Sequence, residues 1–196
     1  ALNNLGETYR ELGQMQQAQP AYEKALELFT TIGNRQAKAM VMGNLGLLNA
    51  AIDQPDQALD YHQKALMLKR QVGDREGERL TLSEMGDVLT AQGRTELAVV
   101  FYKQSVNLSE TIRQDLKALP LEFQQSYADE IVADTYRALA DLLLQQDRVL
   151  EAQQVMDLLK VQELEDYLGQ VRGNAQTAVG VDYHQPAHRI LDLYDR

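Results

Sequence analysis

The sequence contains no cysteine and no tryptophan, and aromatic residues make up only 6 % of its 196 positions. Without cysteine the chain has no disulfides, no thiolate metal ligands and no cysteine nucleophile, and the lack fits a cytoplasmic protein. Apolar residues still reach 44 %, with alanine, leucine and glutamine dominating. These residue types lose little side-chain freedom in a helix. We therefore predict an all-α protein.

A basic surface and a long apolar run are missing as well. The net charge is −10 and the sequence pI is near 4.8, whereas nucleic-acid binding needs clustered lysine and arginine to contact phosphates. No apolar run approaches the roughly 20 residues of a helix that crosses a bilayer. Neither nucleic acid nor a membrane is therefore an expected partner.

The sequence matches itself at an offset of forty residues. Such repetition indicates one supersecondary unit that stacks on its copies. The small residues among the matches are expected to let two helices approach closely. The matching positions are Leu5-Gly6, Leu45-Gly46 and Met85-Gly86, then Ala18, Ala58 and Ala98, then Tyr22, His62 and Tyr102.

Each unit is predicted to contain two helices. In the first unit, apolar residues recur at helical spacing until Gly13, and a second such run ends at Gly33. Gly33 is typical of a helix C-terminus, and Asn34 can cap the helix that follows. Gly73-Asp74 repeats this pair forty residues later.

We predict four helical hairpins, at about 1–33, 34–73, 74–119 and 120–168. The offset of the fourth unit is 54 rather than forty, with the extra residues around 116–129. A long helix is expected from Leu121 to Gln146, and the last clear helix from Arg148 to Leu168. Residues 169–180 are glycine-rich and predict a linker, and residues 181–196 could form a short helix that leads to a missing downstream domain. Because the chain opens at Ala1 inside a helical pattern, we interpret it as part of a longer protein.

The repeat resembles the tetratricopeptide consensus, in the variant whose period is about forty residues. The resemblance implies a right-handed superhelical solenoid of antiparallel helix pairs with a concave groove. Asn49 and Asp53 depart from the family pattern, which makes the turn inside the second unit less certain. The residues that carry the resemblance are Leu5-Gly6-x-x-Tyr9, Ala18, Tyr22 and Ala25.

A narrower resemblance covers residues 136–146, 151–154 and 159–164. These stretches are similar to the segment before the caspase-like CHAT domain of bacterial, especially cyanobacterial, tetratricopeptide proteins. The resemblance implies that the chain is the repeat region of a two-part protein, in contact with a downstream CHAT domain that it regulates by sensing or docking a partner.

The groove residues follow from helical spacing and from the family resemblance. Asparagine can hydrogen-bond a peptide backbone without reading its sequence, and carboxylates favour lysine, arginine or a free amine. We therefore expect a protein or peptide ligand that is basic or neutral, and poor binding of an acidic tail. The alternative is that the carboxylates merely solvate an open surface. The predicted groove residues are Asn3, Asn4, Glu7, Glu11, Asn44, Leu47, Ser83, Glu84, Asp87, Arg137 and Asp141.

No catalytic or metal site is predicted. His184 and His188 are four residues apart, but Pro186 lies between them and no third ligand can be assigned. His62 stands where the other units have tyrosine, which indicates a packed aromatic substitute. No nucleophile has a plausible histidine partner, and no glycine-rich phosphate-binding loop is present. We predict neither an enzyme nor a cofactor.

Two functional hypotheses remain. The first is an interaction module whose groove holds a peptide or partner and so controls an attached peptidase domain. The alternative is a structural scaffold that associates with itself and has no separate peptide ligand.

Overall fold

The structure is a computed structural model that describes residues 1–117 and 130–171, with side chains at 1–116 and 133–160. The described residues form eight α-helices and no strand, which confirms the all-α prediction. The helices are α1 (Leu2–Glu11), α2 (Met15–Thr31), α3 (Arg35–Ala51), α4 (Pro55–Val72), α5 (Arg75–Ala91), α6 (Thr95–Lys117), α7 (Glu130–Gln145) and α8 (Val149–Val171).

From α1 to α7, each helix packs against the next one along the chain, and α8 shares a buried cluster with α7. Short turns make the successive helices from α1 to α6 antiparallel, and likewise α7 and α8. Contacts also join the first helices of successive pairs, α1 to α3 and α3 to α5. One buried cluster combines α2 with α3, so the second helix of one pair is covered by the first helix of the next. This is the predicted solenoid of helix pairs, in which stacking buries the apolar faces. The cluster contains Ala18, Tyr22, Ala25, Val41, Leu45 and Leu48.

Residues 1–159 form one compact unit, and residues 160–196 form a second. Of the second unit the structure describes residues 160–171, which are helical. The last helix, α8, continues past the predicted end at Leu168 to Val171, so it includes the first three residues of the predicted linker. The predicted helix start at Leu121, the rest of the linker and the segment 181–196 lie outside the described residues. The division into four units stays a prediction.

The turn inside each pair has one left-handed residue. This residue is Gly13 in the first pair and Gly93 in the third, with φ of 71° and 68°, and Asp53 and Asp147 in the other two, with φ of 59° and 58°. In all four turns the left-handed residue donates to the carbonyl three residues earlier, and the next residue donates to the carbonyl five residues earlier. Aspartate tolerates this conformation better than most residues. The turn inside the second unit, which the sequence left open, therefore has the same left-handed residue as the other turns.

The turns between pairs confirm the predicted capping. Gly33 and Gly73 have φ of 69° and 73°. The Asn34 side chain accepts a hydrogen bond from the backbone N–H of Ala37 at 3.0 Å, and Asp74 does the same for Gly77 at 2.8 Å. Each cap satisfies an N–H that has no partner inside its own helix.

The recurring spacing of glycine and an aromatic residue brings the two helices of a pair into contact. A Cβ atom added at Gly46 would lie 2.6 Å from the His62 ring, and one added at Gly86 would lie 2.6 Å from the Tyr102 ring. Real Cβ atoms do not approach so closely, which confirms that the small residue permits the close packing.

The fourth pair has different residues at this contact between its two helices. Ala140 stands where Gly86 stands in the third pair, and Met156 stands in the place of Tyr102, each 54 residues later. Ala140 is buried and Met156 packs against the same cluster. A flexible thioether side chain is narrower than an aromatic ring, so it leaves room for the extra methyl group.

Candidate functional site

The first helix of each pair carries the predicted groove residues. Several of them are accessible: Asn4, Glu11, Asp87, Arg137 and Asp141 are exposed, and Glu7 and Leu47 are half-buried. The remaining four contact other side chains of the repeat. Whether any of the eleven binds a ligand stays a prediction.

Asn3 and Asn44 join α1 to α3. Asn3 is only 5 % exposed, and its side-chain oxygen accepts a hydrogen bond from Asn44 Nδ2 at 2.9 Å. The amide of Asn3 is thus used inside the repeat stack, whereas Asn44 remains half-buried at the surface.

Ser83 and Arg137 also bond within the stack. The Ser83 hydroxyl lies 2.9 Å from the Thr135 hydroxyl, which links α5 to α7. Arg137 donates to Asp134 at 3.1 Å, one turn away on α7. Helical spacing alone predicts that both side chains contact a ligand, but in the structure they hydrogen-bond to other residues of the chain.

Asp87 is the hydrogen-bond partner of Tyr102. The Tyr102 hydroxyl donates to Asp87 Oδ1 at 2.6 Å. Loss of hydration raises the pKa of Asp87, while the bond from Tyr102 opposes that rise. Burial and the neighbouring carboxylate raise the pKa of Tyr102 as well. Asp87 therefore joins α5 to α6 through its bond with Tyr102, and its side chain is also exposed.

Glu84 is the residue that faces the buried His62. His62 is fully buried, and its Nδ1 lies 3.3 Å from Glu84 Oε2. In the third pair the residue after the glycine is Asp87, which accepts from Tyr102; in the second pair it is Leu47, which cannot accept a hydrogen bond. His62 packs as an aromatic ring against Gly46, as its position predicts, and its polar neighbour comes from the next pair.

A cavity of about 550 Å³ lies between α3 and α5, with one side chain of α4 in its wall. We refer to it as the α3–α5 cavity. Its volume is within the usual range of ligand pockets. Two of the predicted groove residues, Asn44 and Glu84, line it together with ten other residues. The full lining is Asn34, Gln36, Ala37, Met40, Gly43, Asn44, Lys69, Asp74, Glu76, Gly77, Leu80 and Glu84.

Lys69 is the most informative of the missed residues. It belongs to α4, a second helix, and the prediction took groove residues from first helices only. The signal was nevertheless present, because Lys69 stands forty residues after Phe29, which packs against the buried cluster. A charged residue at a position that is apolar in the preceding repeat is a departure that periodicity can detect.

The Lys69 ammonium group has one hydrogen-bond acceptor and no ion pair within the described residues. Its Nζ donates to Thr81 Oγ1 at 2.7 Å. Burial lowers the pKa of Lys69, and the nearby carboxylates of Glu84 and Asp74 only partly offset this effect. Partial burial thus favours the neutral form of this half-buried amine more than it is favoured in free lysine.

The carboxylates that line the cavity have other neighbours. Asp74 caps α5 through the N–H of Gly77. Glu76 accepts from the buried guanidinium of Arg79, one turn further along α5. With Glu84 beside His62, none of the three forms an ion pair with Lys69.

Neither a metal site nor a membrane-spanning helix occurs among the described residues. Within the described ranges, no group of three or more histidine, aspartate or glutamate side chains could hold a metal ion. The histidine pair at 184 and 188 lies outside those ranges. No helix in the described part of the chain is both long and apolar enough to span a bilayer.

The family is shown by comparison with known proteins. The model of the tetratricopeptide repeat family matches residues 1–71 and 54–111, which together cover more than half of the chain. The chain belongs to the tetratricopeptide repeat family. Tetratricopeptide repeats generally form scaffolds for protein–protein interaction and are typically non-catalytic. No curated protein matches this tetratricopeptide chain.

Two solved structures illustrate the likeness of this tetratricopeptide chain. BtubC (BKLC) from P. vanneervenii has a TM-score of 0.69 and 16 % sequence identity, over 94 % of this chain. This chain spans 66 % of the length of that protein, just under two thirds, and at such identity the likeness shows the fold alone. A structure of nearly identical TPR-like repeats from Podosopora anserina has a TM-score of 0.47 and 13 % identity, over 84 % of this chain and 94 % of that one.

Proposed function

We propose that the repeat array is a scaffold that binds a protein or peptide segment along the first helices, with the α3–α5 cavity as its main recess. The observation that carries the proposal is this cavity, whose wall combines polar side chains from two neighbouring repeats. A cavity shared between repeats suits an extended segment that crosses them, because such a ligand meets each repeat in turn.

Charge supports a basic or neutral ligand. Glu7, Glu11 and Asp141 form no ion pair with any described side chain, and the whole chain carries a net charge of −10. A cationic segment would gain attraction over the whole acidic surface, whereas an acidic tail would be repelled. The ligand class we propose is therefore a protein or peptide segment of neutral or positive charge.

The three carboxylates without an ion pair give the sharpest test of this electrostatic preference. We expect the triple variant Glu7→Gln, Glu11→Gln and Asp141→Asn to bind basic peptides about tenfold more weakly, since exposed ion pairs contribute roughly 0.2–1 kcal/mol each. The measurement is fluorescence anisotropy with an arrayed set of short peptides of graded net charge. These positions suit the test better than Glu84 and Asp87, which contact His62 and Tyr102.

The control for this test lies on a second helix. Glu23 and Glu27 are exposed on α2, and the variant Glu23→Gln with Glu27→Gln should leave the affinity unchanged. Equal losses in the two variants would contradict groove binding. If no peptide of any charge binds the parent chain, the scaffold proposal itself fails.

We also propose, on the sequence resemblance of residues 136–164 alone, that the array regulates a CHAT-type peptidase domain in a bacterial cytoplasm. The supporting fact is that the resembling stretches precede such a domain in similar proteins. Sequencing the complete gene tests the idea directly. A domain with a paired histidine and cysteine downstream of residue 196 would support it, and an unrelated domain there would exclude it.

Self-association is the alternative function, and a second recess favours it. A cavity of about 390 Å³ lies between α4 and α6 and includes Leu59, Met67, Leu97 and Phe101; Met67 is 53 % and Leu97 is 42 % exposed. If this surface joins copies of the chain, light scattering will show concentration-dependent association that the variant Met67→Lys abolishes. A monomer at all concentrations would exclude the alternative.

A further inference from the structure

The cavity between α4 and α6 combines an apolar floor with exposed apolar side chains. We refer to it as the α4–α6 groove. Leu66 and Met85 are buried in one cluster at its floor, and Phe101 packs against that cluster. Met67 and Leu97 also line the groove and are exposed. Apolar side chains that lie exposed next to one another are typical of an interaction site, whereas single ones are common on any surface.

The preceding pair of second helices, α2 and α4, has polar residues at the same positions. Forty residues before Met67 stands Glu27, and forty residues before Leu97 stands Gln57. Both polar residues are exposed. Because equivalent residues of a repeat lie on the same face of the stack, its packing does not require an apolar residue at either position. The apolar surface is therefore particular to the α4–α6 groove.

The following second helices, α6 and α8, are joined by an ion pair at the equivalent place. Lys103 stands forty residues after Gln63, and Glu151 stands 54 residues after Leu97, which is the offset of the fourth unit. Lys103 donates to Glu151 and so connects α6 to α8. Glutamine and leucine cannot form such a pair, so no charge pair at these positions closes the α4–α6 groove.

The charge of the groove is opposite to that of the chain as a whole. Among the described residues, the only charged ones that line it are Arg70 and Arg94, although the chain has a net charge of −10. Arg70 pairs with Glu78 at 2.7 Å. Arg94 donates to the neutral side chain of Gln92 at 3.3 Å and forms no ion pair with a described residue. The groove thus attracts anionic groups locally.

The two arginines lie at opposite ends of the groove. The helices α4 and α6 run in the same direction, because the antiparallel α5 lies between them in the chain. Arg94 directly precedes α6, and Arg70 belongs to the last turn of α4. On α4 the lining extends from Leu59 to Arg70, which is about 17 Å or three helical turns.

An apolar groove of this length suits a helix better than an extended segment. An extended backbone would bury peptide groups against an apolar floor, and burial without hydrogen bonds is costly. A helix satisfies its own backbone groups and presents only side chains to the groove, as amphipathic helices do in other apolar grooves. Carboxylates near its ends would form charge-assisted hydrogen bonds with the two arginines.

We propose that the α4–α6 groove binds an amphipathic helix of a partner protein, about three turns long, with an apolar face and a carboxylate near each end. The groove lies between second helices, so this inference does not rest on the proposed binding along the first helices. A partner fits better than a second copy, because two chains of net charge −10 repel each other over their whole surfaces.

The test uses a designed peptide and the 196-residue chain. The probe is a labelled, amidated peptide of about 16 residues of alanine and glutamine, with leucines at helical spacing on one face and an aspartate near each end of that face. Fluorescence anisotropy is measured at about 0.15 M salt, where screening over about 8 Å limits repulsion by the distant acidic surface. We expect the peptide to bind the parent chain.

The apolar contacts are tested by the double variant Met67→Gln with Leu97→Gln. We expect it to bind the probe at least about tenfold more weakly, since apolar anchors at the centre of an interface contribute most of its affinity. Both side chains are exposed in the parent chain, so the variant should fold, which circular dichroism checks. A peptide of the same composition with its leucines off one face should bind equally weakly.

The charges are tested by replacing both aspartates of the probe with asparagine. We expect this peptide to bind the parent chain about fivefold more weakly, the order that two exposed ion pairs contribute. The double variant Arg70→Gln with Arg94→Gln should bind the two peptides with equal affinity. If that variant still prefers the aspartate peptide, the arginines do not bind its carboxylates and the inference is wrong.

Two matched controls lie outside the groove. Val100 is an exposed apolar residue of α6 that does not line it, and Arg35 is an exposed arginine of α3. Neither Val100→Gln nor Arg35→Gln should change the affinity for the probe. Losses equal to those of the groove variants, or no binding to the parent chain, would overturn the inference. Self-association that Met67→Gln abolishes, without peptide binding, would instead make a second copy the occupant.

Discussion

Lys69 shows how one residue can depart from a repeat. Phe29 contributes apolar area to the core of its unit, whereas the equivalent Lys69 brings a cation that burial destabilises. Proteins often retain such local costs at binding sites, where stability and function compete.

We expect Lys69→Met to stabilise the chain by about 1 kcal/mol, the order that single substitutions reach. The Thr81 hydroxyl, which loses its lysine donor, can donate to the backbone of its own helix. Chemical denaturation measures the gain. Below the folded-state pKa of Lys69 the full gain should appear, and it should shrink as the pH rises towards the ordinary value of 10.5, because there the unfolded lysine also loses its proton. A loss of stability at neutral pH would contradict this account.

Gly46 and Gly43 lie on the same helix but differ in their surroundings. Gly46→Ala would place a methyl group 2.6 Å from the His62 ring, and we expect it to destabilise the chain by about 1–3 kcal/mol, as overpacked cores do. Gly43→Ala meets only an ordinary contact with Lys69. Its gain in helix propensity should stabilise the chain by roughly 0.5–1 kcal/mol. Urea denaturation of both variants checks the opposite signs.

At the scale of elements, ion pairs connect α6 to α8. Glu151 on α8 bonds to Arg148, the residue just before that helix, and to Lys103 on α6. Arg148 also approaches Glu96 of α6 at 3.5 Å. These charges lie at the surface, so each contributes little at neutral pH. What they contribute at neutral pH is lost when acid protonates the carboxylates.

The Glu151 carboxylate should make this contact sensitive to acid. Hydrogen bonds from Arg148 and then Lys103 lower its pKa to about 2 from the ordinary 4.5. Because the folded state binds fewer protons than the unfolded state in this window, its contribution is present above pH 4.5 and is lost as the pH falls towards 2. We expect Glu151→Gln to reduce the loss of stability over that range, measured by thermal denaturation. Glu27→Gln, on α2, should have no such effect.

The turns show which element boundaries sequence can predict. Gly33-Asn34 and Gly73-Asp74 were assigned correctly because their residue types carry the conformation and the cap. Asp53 raised doubt because aspartate is a weaker signal for a left-handed residue than glycine. The packing of α3 against α4 keeps the turn between them in this conformation. That packing exists only once the two helices have folded together, so the residue types of the turn do not reveal it.

At the scale of the whole molecule, the sequence by itself determined the fold class. Repetition at forty residues fixed which positions face inward, since every unit must bury the same face against its neighbours. It also determined the overall acidity and the close approach at Gly46 and Gly86. These features depend only on residue type and on spacing along the chain, both of which can be read from the sequence.

Only the tertiary structure decided which groove residues are accessible. Helical spacing places Asn3 and Asn44 on the first helices, but it cannot show that they bond to each other across α1 and α3. Nor could it bring Lys69 from a second helix into a cavity between two first helices. The physical reason is that a long side chain reaches past its own helix, and where its charged end lies depends on gaps that three helices form together.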